Sequence, residues 1–290
     1  MDRRPSWLKV RAHAHAEASG MRTIRDLLDK HQLTTVCQGA RCPNAAECWE
    51  QKTATFMLLG EMCTRACLFC AVPTGNPKGV VDRGEPARLA SAIADLGLRY
   101  VVLTSVDRDD LADGGASLFA AAISGIRTLS PGIRIEALIP DFAGNEEALA
   151  ALVASGPDVV GHNIETVRRL SPGLRDPRAG HDLSLRVLER IKEMSPHVIT
   201  KSSIMLGLGE KREEVLDAMR ELRLVGVDAL TLGQYLAPTD ASALVTRYLS
   251  PEEFATFEED ARNIGFRFVM SGPLVRSSYR AAQTITACSA

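Results

Sequence analysis

The chain has 290 residues, an apolar share of 46% and a formal net charge of −2. That length and composition fit a single α/β barrel with a sizeable core, and the near-neutral charge leaves no electrostatic footprint for nucleic acid. No run approaches the ~18 apolar residues of a membrane helix. The start, from Met1 to Val10, has arginines but no apolar h-region. Neither a membrane partner nor a secretory signal is expected, and the expected location is cytoplasmic.

The first thirty-odd residues are polar. Ile24, Leu27 and Leu28 predict a helix over 21–30, and His13 and His15 read as part of a solvated extension. Cys37, Cys42 and Cys48 follow in a Cys-x4-Cys-x5-Cys spacing that lacks a fourth cysteine. From Thr53 the pattern becomes strand then helix, repeated. Strands are predicted at 55–59, 100–104, 133–139, 158–162, 198–205 and 229–232, with a further short one at 266–269. Between them run helices with apolar residues at helical spacing, such as Leu89, Ile93 and Leu96, or Val215, Met219 and Leu222. The last helix starts at Ser250-Pro251-Glu252-Glu253, where serine caps, proline suits the first turn and Glu253 completes a capping box.

Alternating strands and helices with short connections predict a parallel sheet with helical crossovers. The expected fold class is α/β, a partial (β/α)6 TIM-like barrel over 53–235. It is flanked by an N-terminal extension over 1–52 and a C-terminal extension over 236–290 that packs on it. In such barrels the reactive groups gather at the C-terminal ends of the strands. The polar motifs of this chain fall there: Cys63 to Cys70, Thr104 to Asp110, Asn163 to Glu165, Gly207 to Glu210, and Gly233 to Tyr235.

Six of the seven cysteines, all but Cys288, lie in two short-range triplets. An odd count so clustered, without a secretion signal, points to metal ligation in a reducing compartment rather than to disulfides. Cys288 is read as a tail residue without a role. In Cys63-x3-Cys67-x2-Cys70 a tight loop aims three thiolates at one small inorganic core. A four-iron cluster takes one thiolate per iron, so three ligands leave one iron open to a small molecule. The alternative is a structural metal knuckle, which wants a fourth ligand close by. The residues after Cys70 offer none.

This triplet, with Phe69 before its last cysteine, resembles the signature loop of the radical S-adenosylmethionine (SAM) enzymes. The second triplet narrows the likeness. Together with Trp7 to Arg11, Leu103 to Gly115, His162 to Thr166, Ile204 to Glu210 and Gly272 to Tyr279, it resembles the lipoyl synthases from about residue 3 to 282. The resemblance implies two 4Fe–4S clusters and SAM as cofactors. It implies insertion of two sulfur atoms, at carbons 6 and 8, into an octanoyl chain on a lysine of a lipoyl carrier domain. The sulfur comes from an auxiliary cluster.

Residue by residue, the resemblance assigns Cys63, Cys67 and Cys70 to the radical SAM cluster. Cys37, Cys42 and Cys48 fall to the auxiliary one, with Ser278 as its unusual fourth ligand. A hydroxylate is a harder and weaker partner for iron in a sulfide cluster than a thiolate, which suits a ligand that must detach. SAM contacts are expected from Phe69, Thr104, Asn163, Glu165, Lys201 and Met205. Lys201 is the candidate for the methionyl carboxylate, and Asn163 and Glu165 for the ribose hydroxyls. Implied partners are octanoylated carrier domains, namely the 2-oxoacid dehydrogenase acyltransferase subunit and the glycine cleavage H protein. A ferredoxin or flavodoxin-type reductant and an iron–sulfur carrier are also implied. The chain departs from the family pattern at Gln38-Gly39, at Ser203 and over 239–244. None of these is a cluster ligand.

Overall fold

The computed structural model describes residues 4–8, 28, 30–39 and 44–289. Cys42, His13, His15 and most of the helix expected over 21–30 lie outside the described residues. Among the described residues eight strands form one sheet in sequential order: β1 (Thr34–Thr35), β2 (Thr53–Leu58), β3 (Tyr100–Ser105), β4 (Arg134–Leu138), β5 (Val159–Gly161), β6 (Ile199–Leu206), β7 (Ala229–Gln234) and β8 (Phe268–Gly272). From β2 to β8 every neighbouring pair is parallel, while β1 pairs antiparallel with β2. Each strand predicted from the apolar runs is present, with bounds moved by a few residues. The two-residue β1 carries no such run and was not expected.

The helices are α1 (Val36–Gly39), α2 (Ala45–Glu50), α3 (Glu85–Leu96), α4 (Ala116–Leu129), α5 (Glu146–Ala154), α6 (Ser171–Leu174), α7 (His181–Met194), α8 (Arg212–Leu224), α9 (Pro251–Ile264) and α10 (Ala282–Ser289). The capping box of α9 forms as predicted, with Glu253 N donating to Ser250 Oγ and Ser250 N donating to Glu253 Oε2. Side chains alternate across a strand, and each strand here has an outer and an inner set. Phe56, Leu103, Ile135 and Val160 face α3, α4 and α5 in one large core. Ile204, Leu206, Leu230 and Leu232 face α7, α8 and α9 in a second. The intervening residues, such as Tyr100, Glu136, Lys201 and Thr231, line the inside.

Curvature of the sheet shows in what α10 touches. Ile285 packs against Tyr100 and Val102 of β3 on one side, and against Val159, Ile199, Ala229 and Phe268 of β5 to β8 on the other. Most of these are first residues of their strands, so one short helix closes the barrel floor. Cys288 is buried there, 3% exposed. The expectation of a role-free tail is therefore corrected: its thiol fills apolar space beside Ile199 and Phe268. The low amphipathicity of Ala282–Ser289, with small residues around one isoleucine, hid this helix in the sequence.

Candidate functional site

The loop from Cys63 to Cys70 follows β2 at the C-terminal end of the barrel. It is closed by Cys63 N donating to Pro73 O and Gly75 N donating to Cys63 O. Each of its three sulfurs accepts one backbone N–H: Arg65 N to Cys63 Sγ at 3.4 Å, Asp176 N to Cys67 Sγ at 3.3 Å, and Val72 N to Cys70 Sγ at 3.4 Å. Burial raises the Cys63 and Cys70 thiols and pushes Cys67 up to about 11. Alone they hold their protons. Cationic iron would take the protons' place, since metal binding deprotonates a coordinating thiol. Among the described residues no three His, Cys, Asp or Glu side chains converge as the ligands of one metal ion would. A cluster bound one thiolate per iron asks for no such convergence, so the donor set fits it better than a mononuclear knuckle.

Arg65 anchors the loop from within. Its guanidinium, 2% exposed, donates to both oxygens of Asp109 and of Asp141 and lies 3.3 Å from Asp107. Asp141 is presented by a turn in which Phe142 and Ala143 have φ of 45° and 52°, left-handed values that non-glycine residues hold only under constraint. Asp107 sits 4.0 Å from Cys63 Sγ, and burial pushes its carboxyl up to about 6 against the pull of Arg65. On the far side Asp176 accepts from Ala66 N, and Arg178 donates to Thr64 O. These ties reach the loop from the ends of β3, β4 and β5.

The SAM candidates divide in two groups. Thr104, Met205 and the Asn163–Glu165 turn lie at strand ends near the loop. Phe69 sits in the loop itself, half-buried. Asn163 Nδ2 donates to Glu165 Oε1 at 3.1 Å. Glu165 has φ 66°, so this turn too is strained; burial raises its carboxyl while Arg175 opposes the rise. Lys201 is elsewhere. It lies on the inner face four residues before Met205, about 13 Å deeper at ~3.3 Å per residue. Its ammonium is held by Glu136 at 2.9 and 3.1 Å, and Tyr100 donates to the same carboxylate at 2.7 Å. His162 is a satisfied core histidine, bonded to Ile139 O and Ser184 Oγ.

Sequence reasoning missed Arg175 and Asp176. They end the one-turn helix α6, in a stretch whose only signal is the polar, proline-broken Arg175-Asp176-Pro177-Arg178. Arg175 is 7% exposed, donates to Ile164 O, and has a buried Nε without a hydrogen-bond partner. Its charge opposes the burial-driven rise at Cys67 and at Glu165. A buried cation with an unsatisfied donor at the barrel mouth is what an anionic ligand group would complete.

Cys37 and Cys48 are half-buried and pack, with Cys63, against the core beneath β2. Ser278 is half-buried in a turn after β8. The residue after it, Tyr279, donates to Glu47, the residue before Cys48, at 3.0 Å. Arg280 donates to the same carboxylate at 2.8 Å, and Asn44 Nδ2 donates to Leu274 O at 2.8 Å. The C-terminal segment is thus tied to the helix that carries Cys48. Among the described residues no helix is long and apolar enough to cross a membrane.

Residues 57–222 match the model of the Radical SAM superfamily. A lipoyl synthase from Thermus thermophilus is 55% identical over 279 residues, covering 96% of this chain and 85% of that protein. One from Pyrobaculum calidifontis is 51% identical, covering 96% and 94%. Among solved structures, methylornithine synthase aligns with a TM-score of 0.57 at 14% identity, covering 85% of this chain and 81% of that one. The hydrogenase maturase HydG from Carboxydothermus hydrogenoformans aligns with a TM-score of 0.57 at 14% identity, covering 95% and 79%. These two likenesses concern the fold, a partial barrel. With relatives more than half identical along nearly its whole length and a thiol loop fit for a four-iron cluster, the chain belongs to the lipoyl synthase family of radical SAM enzymes, which use SAM and 4Fe–4S clusters.

Proposed function

We propose that this chain inserts sulfur at carbons 6 and 8 of an octanoyl-lysine on a lipoyl carrier domain, with sulfur drawn from an auxiliary 4Fe–4S cluster. Cys37, Cys42, Cys48 and Ser278 would hold that cluster. Cys63, Cys67 and Cys70 would hold the other. The observation that carries this reading is the bond from Tyr279 to Glu47. It joins, across 232 residues of sequence, the two stretches that would supply the auxiliary ligands.

Cys63, Cys67 and Cys70 would hold a cluster whose chemistry there would be electron donation for SAM cleavage. The chain's own residues orient and shield. Three backbone N–H groups fix the sulfurs, and the Arg65 clamp keeps the loop from splaying. Arg175 supports the reading as the cation for the methionyl carboxylate, in place of Lys201, whose charge Glu136 already balances. Asn163 and Glu165 would meet the ribose, Thr104 the methionyl amine, and Met205 the adenine. The α10 plug closes the barrel floor and limits solvent access to the interior from that side.

Octanoylated carrier domains of the acyltransferase subunit and of the H protein are the proposed substrates. A ferredoxin or flavodoxin would reduce the enzyme, and an iron–sulfur carrier would rebuild the spent cluster. The deciding experiment is anaerobic reconstitution followed by incubation with an octanoyl-lysine peptide, SAM and dithionite. Mass spectrometry should show a peptide carrying two added sulfurs. Loading of a single cluster, or 5′-deoxyadenosine without any sulfur-bearing peptide, would count against the proposal.

A further inference from the structure

We propose that Glu47 is a positioning residue, a latch that fixes the segment bearing Ser278 against the helix bearing Cys48. The inference rests on the assignment of Ser278 as an auxiliary ligand. Glu47 accepts from three donors on two consecutive residues: Tyr279 OH at 3.0 Å, Arg280 Nε at 2.8 Å and Arg280 Nη2 at 2.7 Å. Arg280 has φ 48°, which turns its guanidinium back over the Tyr279 ring at 5.2 Å so that both side chains reach one carboxylate. A left-handed non-glycine residue persists only where its surroundings over-determine it, and here the surroundings are Glu47.

Two further anchors frame the same segment. Asn44, 8% exposed, holds Leu274 O, and Cys48 N donates to Asn44 O. At Gly233, the inner-face end of β7, an added Cβ would lie 2.1 Å from Val275 O, so only glycine lets the segment approach so closely. Residues 275–278 are therefore suspended between ties at 274 and at 279–280. On the other side, α2 is a six-residue helix, too short to be stable without tertiary contacts. The latch orders both partners.

The chemistry explains why such a latch is needed. A hydroxylate binds iron weakly beside sulfide and thiolates, so the metal cannot be relied on to draw Ser278 into place. Prepaid positioning by the protein replaces that missing affinity. Glu47 does this by holding Tyr279 and Arg280 rather than Ser278 itself, so the serine could detach while its segment stays put.

The test uses the full chain with Glu47→Ala, Glu47→Gln and the exchanged pair Glu47→Arg with Arg280→Glu. In the metal-free protein, Glu47→Ala should speed amide exchange across 44–50 and 274–281 by about tenfold or more, with Glu47→Gln between it and the parent. After anaerobic reconstitution, Glu47→Ala should hold about four irons per chain rather than about eight, while forming 5′-deoxyadenosine at the parent rate. The exchanged pair should regain most of both readouts. Parent-like exchange and iron in Glu47→Ala overturn the latch. If Glu47→Ala loses both clusters, recovery in the exchanged pair supports the latch and its absence overturns it. Ser278→Ala separates the underlying assignment, because normal sulfur insertion there refutes the serine ligand while leaving the exchange result to judge Glu47.

Discussion

Arg65 Nη1 lies 2.6 Å from Asp141 Oδ2, and both side chains are all but sealed beneath the cysteine loop. A forked guanidinium is the only side chain that can serve two carboxylates at once in this geometry. Arg65→Met leaves buried Asp141 without its cation and Asp109 with Arg178 alone, which should cost roughly 3–5 kcal/mol, as breaking a buried pair does. Arg65→Lys should cost less but still impair loading at Cys63, Cys67 and Cys70. Denaturant unfolding of the metal-free protein and iron content after reconstitution check this. A loss under about 1 kcal/mol in Arg65→Met would mean that the clamp carries little.

Cys63→Ala and Ser278→Ala should fail differently. The first should abolish 5′-deoxyadenosine formation altogether. The second should keep SAM cleavage while giving no sulfur-bearing peptide. Normal product from Ser278→Ala would remove serine from the ligand set.

The Lys201–Glu136 pair gives a third prediction. Lys201→Met alone strands a buried carboxylate and should destabilise the protein by several kcal/mol. Replacing both, with Lys201→Met and Glu136→Leu, should recover most of that loss. If Lys201 serves only the barrel interior, SAM should bind the double variant with an affinity close to the parent's, whereas Arg175→Gln should weaken it by tenfold or more. Equilibrium dialysis with SAM on the reconstituted protein distinguishes the two; a SAM affinity lost only in the Lys201 variants would return the carboxylate contact to Lys201.

His162 predicts an acid-side weakness. Burial, with help from Arg175, holds its imidazole down to about 4, against an ordinary value of 6.5. Between these values the unfolded chain binds a proton that the folded chain refuses. Stability is then complete above about pH 6.5 and falls as the pH drops toward 4, by up to roughly 3 kcal/mol from this group. His162→Gln should lower stability at neutral pH yet flatten the slope between pH 6.5 and 4. An unchanged slope would show that other groups set it.

Much of the barrel was legible because apolar runs such as Tyr100 to Thr104 and Val198 to Met205 state their burial directly. Thr104, Asn163 and Glu165 could be placed at strand ends for the same reason. What stayed hidden was long-range or locally bland. Lys201 resembles any polar residue in a strand, and nothing nearby shows that Glu136, on another strand, balances its charge. Arg175 follows a four-residue helix with no periodicity to read. The plug of Ala282–Ser289 gains its burial from five strands, β3 and β5 to β8, most of them distant in sequence. The motif around Ser278 named a ligand, but the carboxylate that holds its segment lies at the opposite end of the chain.

The contacts of Glu47 with Tyr279 and Arg280 also impose an order on biogenesis. A ribosome exposes Cys37, Cys42 and Cys48 early, but the residues that complete their pocket emerge last, after every strand of the barrel. The Cys63 to Cys70 loop waits for less, since Asp109, Asp141 and Asp176 all precede the final third of the chain and its tie from that third is Ala243 N to Leu68 O. Maturation should therefore be sequential, with the cysteine loop of the radical-generating centre ordered before the pocket of the sulfur donor.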